Sequence, residues 1–357
     1  MTLYDTVIVG GGPAGLTAAV HLAWQDRKVL LVDRASGPLF YTLEKLYNVP
    51  GMPEATGVEI QKRLKAQARD RGAEIVFGSV VSVTGQAGDF LLTGAKGEAW
   101  RAKTILLATG VARFHPTVDG DYTPCFSYAG KGNLYYCTDC EGPEIAGKDT
   151  VVIGAGPAEW AANMALGLTR YTPKVRVLVA DPKPIEESAI SPHRAEQLAE
   201  RGIPVLHGEI HSLVGERHHL EALELTDGSR IDAEAFFVSS PARGRTDLAN
   251  QLGVDLAPGG EHVQPRTQRG DTNVPGVWVA GDLRPITQQV AVAMGTGNLA
   301  AIMIDQYLRR QDILERPRPA DAADAAGTVA ENAAVPAVPE TLPVPGLEHE
   351  TSTRRTG

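Results

Sequence analysis

Cysteine is scarce, with 3 in 357 residues. So small and odd a number excludes the disulfide-stapled framework of small secreted domains. Positive charge is also short: 34 Lys and Arg stand against 43 Asp and Glu, for a formal net charge of -9. That balance provides no footprint for nucleic acid or an anionic membrane surface. Long apolar runs are missing too, since glycine interrupts each well short of the ~20 residues that cross a bilayer. From Met1 the chain passes directly into the strand-like run Asp5-Thr-Val-Ile-Val-Gly10, with no basic stretch followed by an apolar one. No secretory signal is read there, and the expected address is the cytoplasm.

What remains is a globular composition, 43% hydrophobic and 22% charged, on a chain long enough for two ordinary domains. Thr6-Val-Ile-Val-Gly10 is the kind of short apolar run that parallel sheets bury. An Ala-rich helix over Leu16 to Trp24 and a second strand, Lys28 to Asp33, follow it. The pattern returns at Thr150-Val-Val-Ile-Gly154, a helix through about Leu168, and a strand from Lys174 to Asp181. The repeat predicts an α/β fold with two Rossmann-like dinucleotide-binding domains. A third apolar strand, Lys103 to Gly110, and a fourth, Gly276 to Asp282, lie on either side of the second unit, and a helical stretch runs from Gln288 to Arg310. The simplest topology inserts the second domain, 116–244, into a first made of 1–115 and 245–314. Residues 315–357 are rich in Pro, Ala and acid without a hydrophobic period, and are expected to be a disordered tail.

Gly10-x-Gly12-x-x-Gly15, with Pro13 and Ala14 inside it, follows a strand and opens a helix. In that context the glycines permit a tight turn, close approach of a pyrophosphate, and close helix–strand packing. Asp33 ends the second strand where an acid can bond a ribose hydroxyl. The motif alone does not separate NAD from FAD. Cys137-Thr-Asp-Cys140 points to redox or metal chemistry. A zinc site would need two more ligands, and the remaining cysteine is Cys125.

Together, Gly10-Gly-Gly-Pro-Ala-Gly15, Leu106-Leu-Ala-Thr-Gly110, Tyr136-Cys-Thr-Asp-Cys-Glu-Gly142, Val279-Ala-Gly-Asp282 and Met294-Gly-Thr-Gly297 resemble the low-molecular-weight thioredoxin reductases over about residues 4–311. The resemblance implies FAD in the first domain. Thr109 and Gly110 lie in one shared motif; Asp282 would hold the ribityl chain or pyrophosphate; Val80 would meet the adenine. Asn48 would stand at the flavin side, with the backbone of Gln289 and Val290 at its pyrimidine end. Cys140 would face the flavin and Cys137 would attack the substrate disulfide, with Glu141 moving the proton. The helix expected to start at the pair would also favour thiolate. A thioredoxin-like protein or small disulfide is the implied substrate, and a homodimer the implied assembly.

The second glycine turn departs from that pattern. It reads Gly154-Ala-Gly156-Pro-Ala-Glu159, with Glu where a small residue is wanted, and Asp181-Pro-Lys-Pro184 stands in place of a phosphate-pairing arginine cluster. An Asp at the strand end repels a 2′-phosphate, so NADPH is disfavoured. Three readings stand: NADH bonded through Asp181, an empty domain fed by a ferredoxin-type protein, or a second FAD. The favoured reading is a pyridine-nucleotide-independent disulfide oxidoreductase, ferredoxin-linked or diflavin. The alternatives are an NAD(P)H-dependent thioredoxin reductase, an oxygen-linked dithiol oxidase, and a flavin redox sensor.

Overall fold

The computed structural model describes residues 1–180 and 189–315. Asp181 and the expected tail from 316 onward lie outside the described residues. The compact unit Met1–Arg310 is built on a mixed sheet and a parallel sheet.

The first sheet opens with β1 (Leu3–Val9), followed by α1 (Pro13–Trp24) and β2 (Val29–Asp33). Pro13 sits at the first helical position, where its missing N–H costs nothing and its fixed φ suits the helix. Next come α2 (Gly57–Asp70), β3 (Glu74–Phe77), β4 (Val80–Gln86), β5 (Asp89–Gly94) and β6 (Ala99–Leu107). A capping box starts α2: Thr56 Oγ1 accepts from Glu59 N, and the Glu59 carboxylate accepts from Thr56 N. The sheet order is β3-β2-β1-β6-β5-β4. Strands β3, β2, β1 and β6 run parallel, while β4 and β5 form an antiparallel edge.

Alternation along β1 explains why these runs are apolar throughout. Ile8 faces a core shared with α1 and α2, whereas Val7 and Val9 face a core shared with Phe90 and Leu92 of β5. Both faces are buried, so no polar stripe is needed. The observed β6 starts earlier than the expected 103–110 because its first half pairs with β5, a ladder that the apolar run does not mark.

After β6 the chain crosses through β7 (Val111–Arg113) and β8 (Leu134–Tyr135) to α3 (Thr138–Glu141). The second sheet adds β9 (Thr150–Gly154), α4 (Ala158–Leu168), β10 (Val175–Ala180), α5 (Pro192–Glu200) and β11 (Val205–Gly208). A three-stranded antiparallel layer, β12 (Ile210–Glu216), β13 (His219–Leu225) and β14 (Arg230–Asp232), packs on it, and β15 (Ala235–Ser239) closes the order β8-β15-β9-β10-β11. The return strand β16 (Ala242–Gly244) pairs with β7, and α6 (Asp247–Gln251) follows. Strand β17 (Val277–Val279) then pairs with β6, so the second sheet is an insertion within the first. Among the described residues no helix is long and apolar enough to cross a membrane.

The last helix, α7 (Val290–Glu315), returns to the first glycine turn. Its Gly297 meets α1 so closely that a Cβ there would stand 2.1 Å from the carbonyl oxygen of Ala14. Further along, Arg27 Nε donates to the Asp305 carboxylate at 2.8 Å, and both side chains are largely buried. Gly295, one position from Thr296, has nothing within 4 Å of its Cβ site. Gly297→Ala is therefore expected to destabilise the protein by about 1–3 kcal/mol through overpacking. Gly295→Ala is expected to be neutral or stabilising by up to about 1 kcal/mol. Denaturant titration of the two variants separates the cases, and equal midpoints would contradict this packing.

Candidate functional site

The first turn presents an uncapped helix end. Gly12 is the N-cap of α1 and makes no side-chain cap bond, and its Cβ site has nothing within 4 Å. The free N–H groups of α1 thus face open space with a partial positive charge. Asp33 closes one side: its carboxylate lies 2.5 Å from the Cβ site of Gly11, accepts from Ala35 N at 3.1 Å, and pairs with Lys65 Nζ at 3.1 Å. Ala14 packs under the turn, 2.9 Å from the Cβ site of Gly281, which is adjacent to Asp282. The carboxyl of Asp282 is pushed up to about 6 by burial, against the pull of Arg113. Gly10 and Gly110 take positive φ, and Thr109 Oγ1 donates to the Arg245 carbonyl at 2.8 Å. Val80 stands half-buried at the start of β4. An open cradle at a bare helix end, flanked by two carboxyls, fits the pyrophosphate and ribose of a dinucleotide such as FAD.

The cysteine pair forms a disulfide, Cys137–Cys140, with Cα atoms 5.2 Å apart. Cys137 is the N-cap of α3, but α3 is a single turn of four residues. The helix start expected at the pair is thus present, as one turn. Glu141 reaches back: its Oε2 accepts from Cys137 N at 3.1 Å. Burial pushes the Glu141 carboxyl up to about 7, so it carries a proton near neutrality. The Sγ atoms and the Glu141 carboxylate lie within 4.8 Å of one another, a metal-like spacing. With the sulfurs bonded to each other, neither offers a thiolate to a metal. Asp139 is exposed to solvent.

At the start of α7, Gln289 brings the pair to the first sheet. Its Nε2 lies 3.4 Å from both Sγ atoms, and its Oε1 accepts from Asn48 Nδ2 at 3.0 Å. Val290 begins the helix beside it. Thus Asn48, Gln289, Cys137, Cys140 and Glu141, picked out separately in the sequence, come together in space.

Several neighbours carried no sequence signal. Glu44 is half-buried, pushed up to about 7 by burial and then by Glu144, and in turn raises Glu141. Arg113, on β7, donates to Gln288 Oε1 at 2.8 Å and lies over the Tyr136 ring at 5.8 Å. His115 Nδ1 is 2.6 Å from the Tyr136 hydroxyl, and the ring packs on Phe126 and Tyr122. Burial, followed by Arg113, lowers the His115 imidazole. The identification of these residues depends on pairings between distant segments, so no local motif marks them.

The second turn is more crowded. A Cβ on Gly156 would stand 2.8 Å from Pro241 Cδ. Glu159, in the first turn of α4, accepts from Ser191 N at 2.9 Å and Ser191 Oγ at 3.1 Å, and pairs with Arg194 at 3.5 Å. Gly154 is fully buried in the sheet, and Trp160 is exposed.

The pyridine nucleotide-disulphide oxidoreductase model matches residues 4–297. The chain belongs to this family. It is similar to the thioredoxin reductase of Peptoclostridium litorale, 30% identical over 86% of this chain and 97% of that one. The thioredoxin reductase of Bacillus subtilis is 26% identical over 86% of this chain and 95% of the relative. Among solved structures, that of HlmI superposes with a TM-score of 0.77 at 26% identity, covering 90% of this chain and 96% of that one. The protein is a thioredoxin reductase-like flavin disulfide oxidoreductase, and its family implies FAD.

Glu44 and Glu141 hold their protons to higher pH in the folded protein than in the unfolded chain. Their stabilisation is complete below the ordinary carboxyl range and is lost as pH rises through about 7. The melting temperature is expected to fall between about pH 5 and about pH 8, and Glu44→Gln with Glu141→Gln should flatten the fall. An unchanged slope in the double variant would show that these carboxyls are not the cause.

Proposed function

We propose that this chain passes electrons between FAD at its first glycine turn and the Cys137–Cys140 pair, and onward to a protein or small-molecule disulfide, without using NADPH. Gly10, Gly12, Pro13, Ala14, Gly15, Asp33, Val80, Thr109, Gly110 and Asp282 would hold the dinucleotide, with Asn48 and the backbone of Gln289 and Val290 at its flavin end. Bound FAD supplies an electron pair. When two electrons enter the disulfide, the sulfur–sulfur bond breaks, Cys137 is released as a thiolate, and Glu141 delivers a proton to Cys140. Cys137 then attacks the substrate disulfide and expels one substrate thiolate. Cys140 attacks the resulting mixed disulfide, releases the second thiolate and restores Cys137–Cys140.

The observation that carries the NADPH part of this reading is the second turn. Pro241 occupies the approach to Gly156, where a pyrophosphate would come closest. Arg194, a cation that a 2′-phosphate could have used, is paired with Glu159. In sequence, no arginine cluster follows the strand that ends at Ala180. A reduced ferredoxin-type protein is the proposed donor on this reading, and a homodimer the proposed assembly, since closed two-fold symmetry is the common case.

The test is anaerobic bleaching of the flavin absorbance in the purified full chain, after counting flavins per chain. NADPH is expected to leave the flavin oxidised on the timescale at which reduced ferredoxin bleaches it. Rapid bleaching by micromolar NADPH would overturn the proposal.

A further inference from the structure

Gln289 does more in this structure than offer its backbone to a cofactor. Its side-chain amide lies against the two sulfurs that react, with Nε2 3.4 Å from Cys137 Sγ and 3.4 Å from Cys140 Sγ. Oε1 is 3.8 Å from Cys140 Sγ and accepts from Asn48 Nδ2 at 3.0 Å. The Asn48 bond goes with one orientation of the amide. A donor at Nδ2 needs an oxygen, so Oε1 turns to Asn48 and the N–H groups are left for sulfur.

We propose that the Gln289 side-chain amide is a catalytic group that stabilises the thiolate of the opened pair, and that Asn48 is the positioning residue that orients it. Two electrons and one proton convert the disulfide into one thiol and one thiolate. In that state Nε2–H donates to the anionic sulfur, whichever cysteine carries the charge, because both lie at equal distance. When Cys140 is the protonated partner, its S–H can donate to Oε1. A neutral amide serves both partners while placing no fixed charge beside the closed disulfide. The charged and titratable groups around the pair, Glu141 on α3 itself, Glu44 from the loop before α2 and Arg113 on β7, are left intact by the variants below.

The inference rests on the proposed redox cycling of the pair but not on its electron donor, so the pair is opened with excess dithiol. Iodoacetamide labelling of Cys137, followed by peptide mass across a pH series, reads the thiolate population in the full chain. Gln289→Leu is expected to shift the labelling midpoint upward by about one pH unit, close to tenfold slower labelling below it. Asn48→Leu should give a smaller shift in the same direction, and the double variant no more than Gln289→Leu alone. Labelling needs no flavin, so the result holds even where a variant binds FAD poorly. An unchanged midpoint in Gln289→Leu, or independent additive shifts, would overturn the role of the amide. Failure of excess dithiol to open the pair in the parent protein would instead refute the proposed redox function.

Discussion

The disulfide and the glycine turn belong to different sheets, and one side chain ties the two parts of the chain together at the redox pair. Cys137 lies two residues beyond the end of β8 of the second sheet, while Asn48 and Gln289 belong to the part of the chain built around the first. The Gln289 amide is where the two meet. The chain crosses between the sheets through β7 and β16, which pair with each other from Val111 to Arg113 and from Ala242 to Gly244. Arg113 lies on that ladder and also bonds Gln288, so the crossing and the site share a residue.

Around the meeting point the electrostatics favour protonated acids. Burial raises Glu141, Glu44 and Asp282, while the guanidinium of Arg113 opposes the rise at Glu141 and Asp282. This combination suits a reaction in which electrons arrive in pairs and protons must follow. An acid with a value near the working pH both gives and takes a proton readily. Glu44 comes from the loop before α2 rather than from the redox turn, so the raised value at Glu141 draws on both parts of the chain.

The elements legible in the sequence are those whose cause is local. Parallel strands buried on both faces read as apolar runs, which is why β1, β2, β9 and β10 are marked by composition alone. Gly10, Gly12 and Gly15 are legible because their spacing follows from one strand-to-helix turn. Glu44, Arg113 and His115 are not, because each acquires its role from a partner far away in the chain. The helix after Cys137 is kept short by a local feature. Pro143 lies two residues beyond its end, and the chain tightens there into a 3₁₀ turn over Gly142–Ile145. Strand β17 is likewise shorter than its apolar run, since Gly281 takes positive φ and turns the chain toward Asp282.

The two glycine turns show how one local pattern can acquire different chemistry. Both follow a buried parallel strand and open a helix that lacks a side-chain cap. Above the first, the space at Gly12 is open; above the second, Pro241 stands against Gly156. The first turn of α1 contains no acid, whereas α4 carries Glu159 in its first turn. A carboxylate at that position is itself stabilised by the helix end, and Ser191 and Arg194 hold it there.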